Sequence, residues 1–185
     1  MPSITTINLA VTAVSTLWKA LPVLADAMDK ASTSAAVGIA NESESNLAFE
    51  NAVVVQGSYV AGCEPWKAGY KGNIDHDVGT DFAMASEGLD GSIGATYYRI
   101  QGVYMVTGWY VGKDNAYLTT GFFTEDNVPG WTTAKWSDIL SAESGSRTRH
   151  TGTKATWNDL TLTGECTLAA GAKGFPYYTF EFTLQ

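Results

Sequence analysis

Apolar residues recur along the chain with two different periods, and the change falls near Lys30. Before it, Ile4, Ile7, Val11, Val14, Trp18, Leu21, Ala25 and Met28 stand three or four apart, while Thr5, Asn8, Thr12, Ser15, Lys19 and Asp26 fall elsewhere on a helical wheel. The spacing predicts an amphipathic helical segment over residues 1–30. Pro22 removes a backbone donor, so it either kinks the helix or opens the first turn of a second one. A continuous helix from Ile4 to Lys30 would run about 40 Å at 1.5 Å per residue, enough to cross a hydrocarbon core of about 30 Å. Docking on a sheet is the ordinary use of such a stripe in the soluble state.

After Lys30 the period becomes two. Tyr178, Phe180, Phe182 and Leu184 alternate with Thr179, Glu181 and Thr183, and Leu160, Leu162, Gly164, Cys166 and Leu168 alternate with Thr161, Thr163, Glu165 and Thr167. Further strands are predicted over Ala36–Asn41, Ala52–Val60, Asp81–Ala85, Ile93–Ile100, Val103–Val111 and Tyr117–Thr124, separated by turns containing Gly, Asn or Asp. One short helix is predicted from Trp136, Ile139 and Leu140 following Thr132 and Thr133. The fold class is therefore mainly β: an antiparallel β-sandwich over residues 35–185, flanked by the N-terminal amphipathic helix and the short one. No repeat or linker divides the chain into a second domain.

Composition supports this and narrows the partners. With 45% hydrophobic and 16% charged residues, the 185-residue chain is neither disordered nor collagenous. Eleven Lys and Arg against nineteen Asp and Glu give a net charge of −8, which repels a phosphate backbone, so no nucleic-acid partner is expected. The N-terminus lacks the basic region and uninterrupted apolar run of a signal peptide, because Trp18, Lys19 and Pro22 break it. Cys63 and Cys166 lie far apart in sequence, and two readings stand: a buried inert thiol at Cys166, or a Cys63–Cys166 disulfide.

Candidate chemistry is sparse. Asp75-His76-Asp77 is a polar turn whose spacing matches no metal-binding loop, and Arg147-Thr148-Arg149-His150 is a small basic island that could meet an anion or form a solvated loop. Asn41-Glu42-Ser43 has the pattern of a glycosylation sequon. Neither a nucleophile elbow nor a phosphate-binding glycine loop is present, so no enzymatic activity, metal or cofactor is expected. What stands out is aromatic residues in a Gly-rich middle. Neighbours on a strand face opposite ways, so Trp109 and Tyr110, or Phe122 and Phe123, cannot both enter one core. One member of each pair should face out or pack under a loop. Exposed Trp and Tyr suit membrane interfaces and sugar faces alike.

Three stretches taken in order carry a resemblance. Ala36-Val37-Gly38-Ile39-Ala40-Asn41-Glu42-Ser43 after an amphipathic helix, then Val106–Val111 with Gly112–Leu118 and Phe122–Asp126, then Thr156–Leu160 through Phe180–Phe182, resemble the actinoporin-like pore-forming toxins. The likeness spans most of the chain and is close in letters only at Ala36–Ser43. It departs from the family pattern at Phe123-Thr124-Glu125, where a Ser-x-Pro turn is usual. Ser137–His150 has no counterpart of the family's Tyr-rich helix, an Arg-Gly-Asp triplet is missing, and the chain is acidic where members are basic. Fungal fruit-body lectins look similar at the level of fold.

The resemblance implies a water-soluble toxin that docks on a target-cell membrane and inserts its N-terminal helix into a homo-oligomeric pore. The soluble form would be a monomer or low oligomer, released from the producing cell without a recognisable signal peptide. Its membrane-facing group is expected at Trp109, Tyr110, Phe123, Trp131 and Trp136, its inserting face at Ile7, Val11, Val14, Trp18, Leu21 and Met28, and its hinge at Ala31–Ser34 and Gly38. The partner is a membrane lipid or a glycan receptor, and a glycan-binding lectin on the same sandwich is the alternative.

Overall fold

The computed structural model describes residues 33–67, 71–86, 91–112, 116–124, 128–141, 147–149, 153–170 and 176–185. Ile7, Val11, Val14, Trp18, Leu21 and Met28 of the expected inserting helix lie outside the described residues, as does His150.

The described strands are β1 (Thr33–Asn41), β2 (Ala48–Gln56), β3 (Ser58–Tyr59), β4 (Val78–Ser86), β5 (Ser92–Ile100), β6 (Val103–Val111), β7 (Ala116–Thr124), β8 (Arg147–Arg149), β9 (Thr153–Trp157), β10 (Leu160–Ala170) and β11 (Pro176–Leu184). A 3-10 turn covers Pro65–Lys67, and helix α1 covers Thr133–Ser141. One sheet has the order β3-β4-β1-β11-β10-β9 and the other β2-β5-β6-β7-β8. Every strand pair is antiparallel except β1 with β11, which run parallel. These two come from opposite ends of the described chain, so no hairpin dictates their direction. The β5–β6 hairpin turns on Gln101 and Gly102, both at positive φ, the backbone that a tight two-residue hairpin requires.

The two sheets close on one apolar core. The first supplies Val37, Ile39, Phe82, Met84, Leu162, Phe180 and Phe182, and the second supplies Tyr98, Met105, Trp109 and Leu118. Trp109 is 0% exposed and lies 5.5 Å from Phe82, ring centroid to ring centroid. Opposite it on β5 stands Gly94, where a Cβ would lie 2.7 Å from both Trp109 Cζ2 and Met84 Sδ, so only the missing side chain admits the indole.

Asn41 fastens one end of the sandwich. Its side chain is fully buried; Nδ2 donates to the carbonyls of Ser45 (2.8 Å), Ile74 (3.3 Å) and Asp75 (3.2 Å), while Oδ1 accepts from Ser43 N–H (3.2 Å) and Ser43 Oγ (2.7 Å). The sequon pattern is therefore a structural knot, because a glycan on Nδ2 would break these bonds. Gly38, expected as a hinge, is paired on both sides in the middle of β1, with Asp81 and Glu181. Both thiols are free. Burial pushes Cys166 up to about 12, and burial with Asp81 and Glu64 raises Cys63, so neither is a poised thiolate at neutral pH.

The outward face of the first sheet carries an acidic row. Register places Asp81, Gly38, Glu181 and Glu165 side by side across four strands. Partial burial raises Asp81, and burial together with Glu165 raises Glu181. A carboxylate raised on folding stabilises the protein as pH falls through its folded value, and the gain levels off near the ordinary carboxylate value of about 4. The melting temperature should rise as pH is lowered from 7 into that range, and Glu181→Gln should raise it at pH 7 while flattening the dependence; a melting temperature that falls steadily from pH 7 to 5 contradicts this. Asn41→Ala should cost about 3 kcal/mol in urea unfolding, since several buried groups lose their partner together.

Candidate functional site

The second sheet is apolar on its outward face too. Along β5, β6 and β7 the outward side chains form four cross-strand rows: Arg99–Tyr104–Phe123, Tyr97–Val106–Gly121, Ala95–Gly108–Thr119 and Ile93–Tyr110–Tyr117. Helix α1 covers the middle of this face. Thr132 Oγ1 accepts from the Lys135 N–H (3.2 Å) and the Thr132 carbonyl from Trp136 N–H (3.0 Å), which starts the helix. Trp136 and Leu140, one turn apart, then point inward together. Leu140 sits on Gly108, where a Cβ would collide with it. The resulting second core contains Ile93, Ala95, Tyr97, Tyr104, Val106, Val128, Trp136 and Leu140, edged by the half-buried Tyr110, Phe123 and Trp131.

The expected membrane-facing residues separate accordingly. Phe123, Trp131 and Trp136 come together: Trp131 lies edge-on to Phe123 at 4.9 Å and to Trp136 at 4.8 Å, and Trp136 stacks on Tyr97 at 5.9 Å. Of these, Trp136 is only 3% exposed and serves as the wedge that holds α1 on the sheet, a correction to its place in a docking surface. Trp109 is likewise corrected, because its phase of β6 faces the other sheet. Tyr110 is on the outward face but in the far row, paired with Tyr117 at 5.4 Å between ring centroids. Six residues of strand, about 20 Å, separate that row from Phe123.

Polar groups that the sequence reading passed over complete the Phe123 end. Arg99 Nη2 donates to Tyr104 Oη (3.0 Å), its guanidinium lies 5.4 Å from the Tyr104 ring centroid, and Nε meets Glu50 Oε1 at 3.1 Å. Burial raises the Tyr97 hydroxyl, an effect that the Asn51 side chain offsets in part. A signal was present: Arg99 is the one charged residue between Ser92 and Val111. The site is thus a half-buried edge of Phe123 and Trp131 beside the Glu50–Arg99 ion pair, whose guanidinium is held from below by the buried Tyr104. It can stack on an apolar or sugar face and offer donors and acceptors at its rim.

Other candidates resolve differently. Arg147–Arg149 is strand β8, with Arg149 paired to Tyr117, rather than a loop. His76 is exposed, its N–H donating to Asn46 Oδ1 at 2.8 Å. Among the described residues no group of three or more His, Cys, Asp or Glu side chains converges to hold a metal ion. No helix among them is long and apolar enough to cross a membrane.

No protein-family model matches the chain, and no curated protein matches it in sequence. Solved structures do match in fold. The lipid binding protein Nakanori superimposes with a TM-score of 0.74 at 14% identity, over 98% of this chain and 85% of that one. A methionine-substituted form of the Xerocomus chrysenteron lectin matches with a TM-score of 0.52 at 9% identity, over 82% of this chain and 97% of that one. The fold is shared with both. Gly108→Val should lift α1 from the sheet, costing about 1–3 kcal/mol and moving tryptophan emission to longer wavelength as Trp136 meets water. Unchanged emission and stability would show that the helix is not seated on Gly108.

Proposed function

We propose that this protein binds a lipid of a target membrane through the Phe123–Trp131 edge and the neighbouring Glu50–Arg99 pair, and then inserts its N-terminal segment to form a homo-oligomeric pore. The observation that carries the reading is the match in fold to a lipid binding protein over nearly the whole chain. The aromatic edge supports it, because Trp and Phe beside polar groups partition into the headgroup region. The net charge of −8 removes general attraction to anionic lipid, so affinity has to come from aromatic insertion and a specific headgroup contact. Insertion would use the stripe Ile7, Val11, Val14, Trp18, Leu21 and Met28, with Thr5, Asn8, Thr12 and Ser15 towards water. Its energetic logic is that the stripe exchanges one apolar surface for another while the helix satisfies its own backbone.

A glycan-binding lectin is the second reading, favoured by the small size of the accessible edge. With Trp109 and Trp136 buried and Tyr110 in the far row, Phe123 and Trp131 are the members of the expected group left at this edge, and one aromatic face is enough to stack on a sugar ring.

Both readings are tested with the full chain. On vesicles made from natural lipid extracts, Trp131→Ala should weaken co-sedimentation about tenfold, as the loss of an aromatic anchor does. Val14→Asp should leave co-sedimentation intact and abolish dye release. Dye release undiminished by Val14→Asp would remove insertion by this stripe. Binding to a glycan array with no vesicle binding would establish the lectin reading instead.

A further inference from the structure

The Glu50–Arg99 pair is built by a distortion of the sheet. Pairing of β2 with β5 steps from Phe49 opposite Tyr98 to Asn51 opposite Tyr97, so Glu50 is an extra residue with no partner across the strand. A bulge of this kind bends the strand and re-aims the bulged side chain. Here the carboxylate it carries meets Arg99 Nε at 3.1 Å. Tyr104 fixes the guanidinium as well: its hydroxyl accepts from Nη2 at 3.0 Å, and its ring centroid lies 5.4 Å from the guanidinium carbon.

Folding stability does not account for this arrangement. The Arg99 and Glu50 side chains stay 46% and 32% exposed, and a pair so wetted contributes little, whereas the bulge interrupts the ladder. What the distortion provides is one fixed cation and one fixed anion, side by side and open to solvent. They stand at one end of the cross-strand row that runs from Arg99 through Tyr104 to Phe123. A simple anion approaching Arg99 is repelled by Glu50, and a simple cation approaching Glu50 is repelled by Arg99. A ligand that carries both charges in the opposite order is attracted by each. At a membrane surface that description fits a zwitterionic phospholipid headgroup, whose neutrality also suits a chain of net charge −8.

Choline and ethanolamine headgroups share the phosphate and differ in the cation. A trimethylammonium has no N–H to donate and is held by aromatic faces that enclose it. A primary ammonium donates hydrogen bonds and is held by a carboxylate. The group beside Arg99 is a carboxylate. The rings at this edge close on one another instead of around a cation, with Trp131 edge-on to Phe123 at 4.9 Å and to Trp136 at 4.8 Å. Resting on the reading that this edge binds membrane lipid, we infer that Glu50 is the specificity-determining residue and that the headgroup it selects is phosphoethanolamine. Arg99 takes the phosphate, Glu50 takes the primary ammonium, and Phe123 and Trp131 lie towards the acyl chains.

The test is co-sedimentation of the full chain with vesicles matched in backbone: phosphatidylethanolamine against phosphatidylcholine, and ceramide phosphoethanolamine against sphingomyelin, each diluted equally into the same carrier lipid. The parent should prefer the ethanolamine member of a pair about tenfold, the discrimination that one charge-assisted hydrogen bond supplies. Glu50→Gln should erase that preference and, by releasing Arg99 from its carboxylate, raise binding to phosphatidylglycerol vesicles. Arg99→Gln should weaken both members of a pair together, and so should Trp131→Ala. Soluble phosphoethanolamine should displace the parent from vesicles at lower concentration than phosphocholine does. An unchanged melting temperature in Glu50→Gln separates lost recognition from lost folding. Vesicle binding that does not distinguish the two headgroups, or a preference that survives Glu50→Gln, overturns this inference and leaves the lipid reading standing. No binding to any of these vesicles overturns both.

Discussion

The five-stranded sheet is apolar on both faces, and most of the architecture follows from the need to cover each. Its inward face, with Tyr98, Met105, Trp109 and Leu118, is closed by the six-stranded sheet. Its outward face, with Tyr97, Tyr104, Val106 and Ile93, would expose a patch of the kind that drives association. Nine residues of helix, anchored by Trp136 and Leu140, cover the middle of that face. The cover is shorter than the strands beneath it, so aromatic rows remain part-exposed at both of its ends. The candidate site is the end at which Phe123 and Trp131 meet Arg99 and Glu50.

The six-stranded sheet follows the opposite rule. Its outward face is Thr- and Glu-rich, with the acidic row Asp81, Glu181 and Glu165. This acidic row lies on the face of the molecule away from the aromatic edge, where the carboxylate of Glu50 is paired with Arg99. Asn41 ties β1 to the loop around Ile74 and Asp75, holding the end of this sheet with hydrogen bonds that an apolar contact could not aim.

Much of this was legible along the chain. Strands with one apolar and one polar phase, such as β10 and β11, could be oriented before any fold was known, since one of their phases cannot enter a core. Val103–Val111 was bounded correctly because Gln101-Gly102 and Gly112 punctuate it. Two strands, β8 and β9, escaped notice: Arg147-Thr148-Arg149 and Thr153–Trp157 carry almost no apolar alternation and pair at sheet edges, where burial asks little of them. Arg99 was visible as a lone charge in an apolar run, but its meaning needed Glu50 and Tyr104, which reach it only across strands.

For β6 and β7 local pattern could go no further than stating that neighbouring aromatics part company. Trp109 and Tyr110 have equal claim to a core when both phases are apolar, and so do Phe122 and Phe123. The periodicity settled that these strands exist, that each presents two faces, and that the chain folds as a sandwich with a short helix near Trp136. Which face each aromatic took came from contacts distant in sequence: Gly94 and Phe82 draw Trp109 inward, and α1 closes over Trp136. A strand's pleat fixes that alternate side chains point opposite ways, but it has no inside or outside until a second layer packs against it.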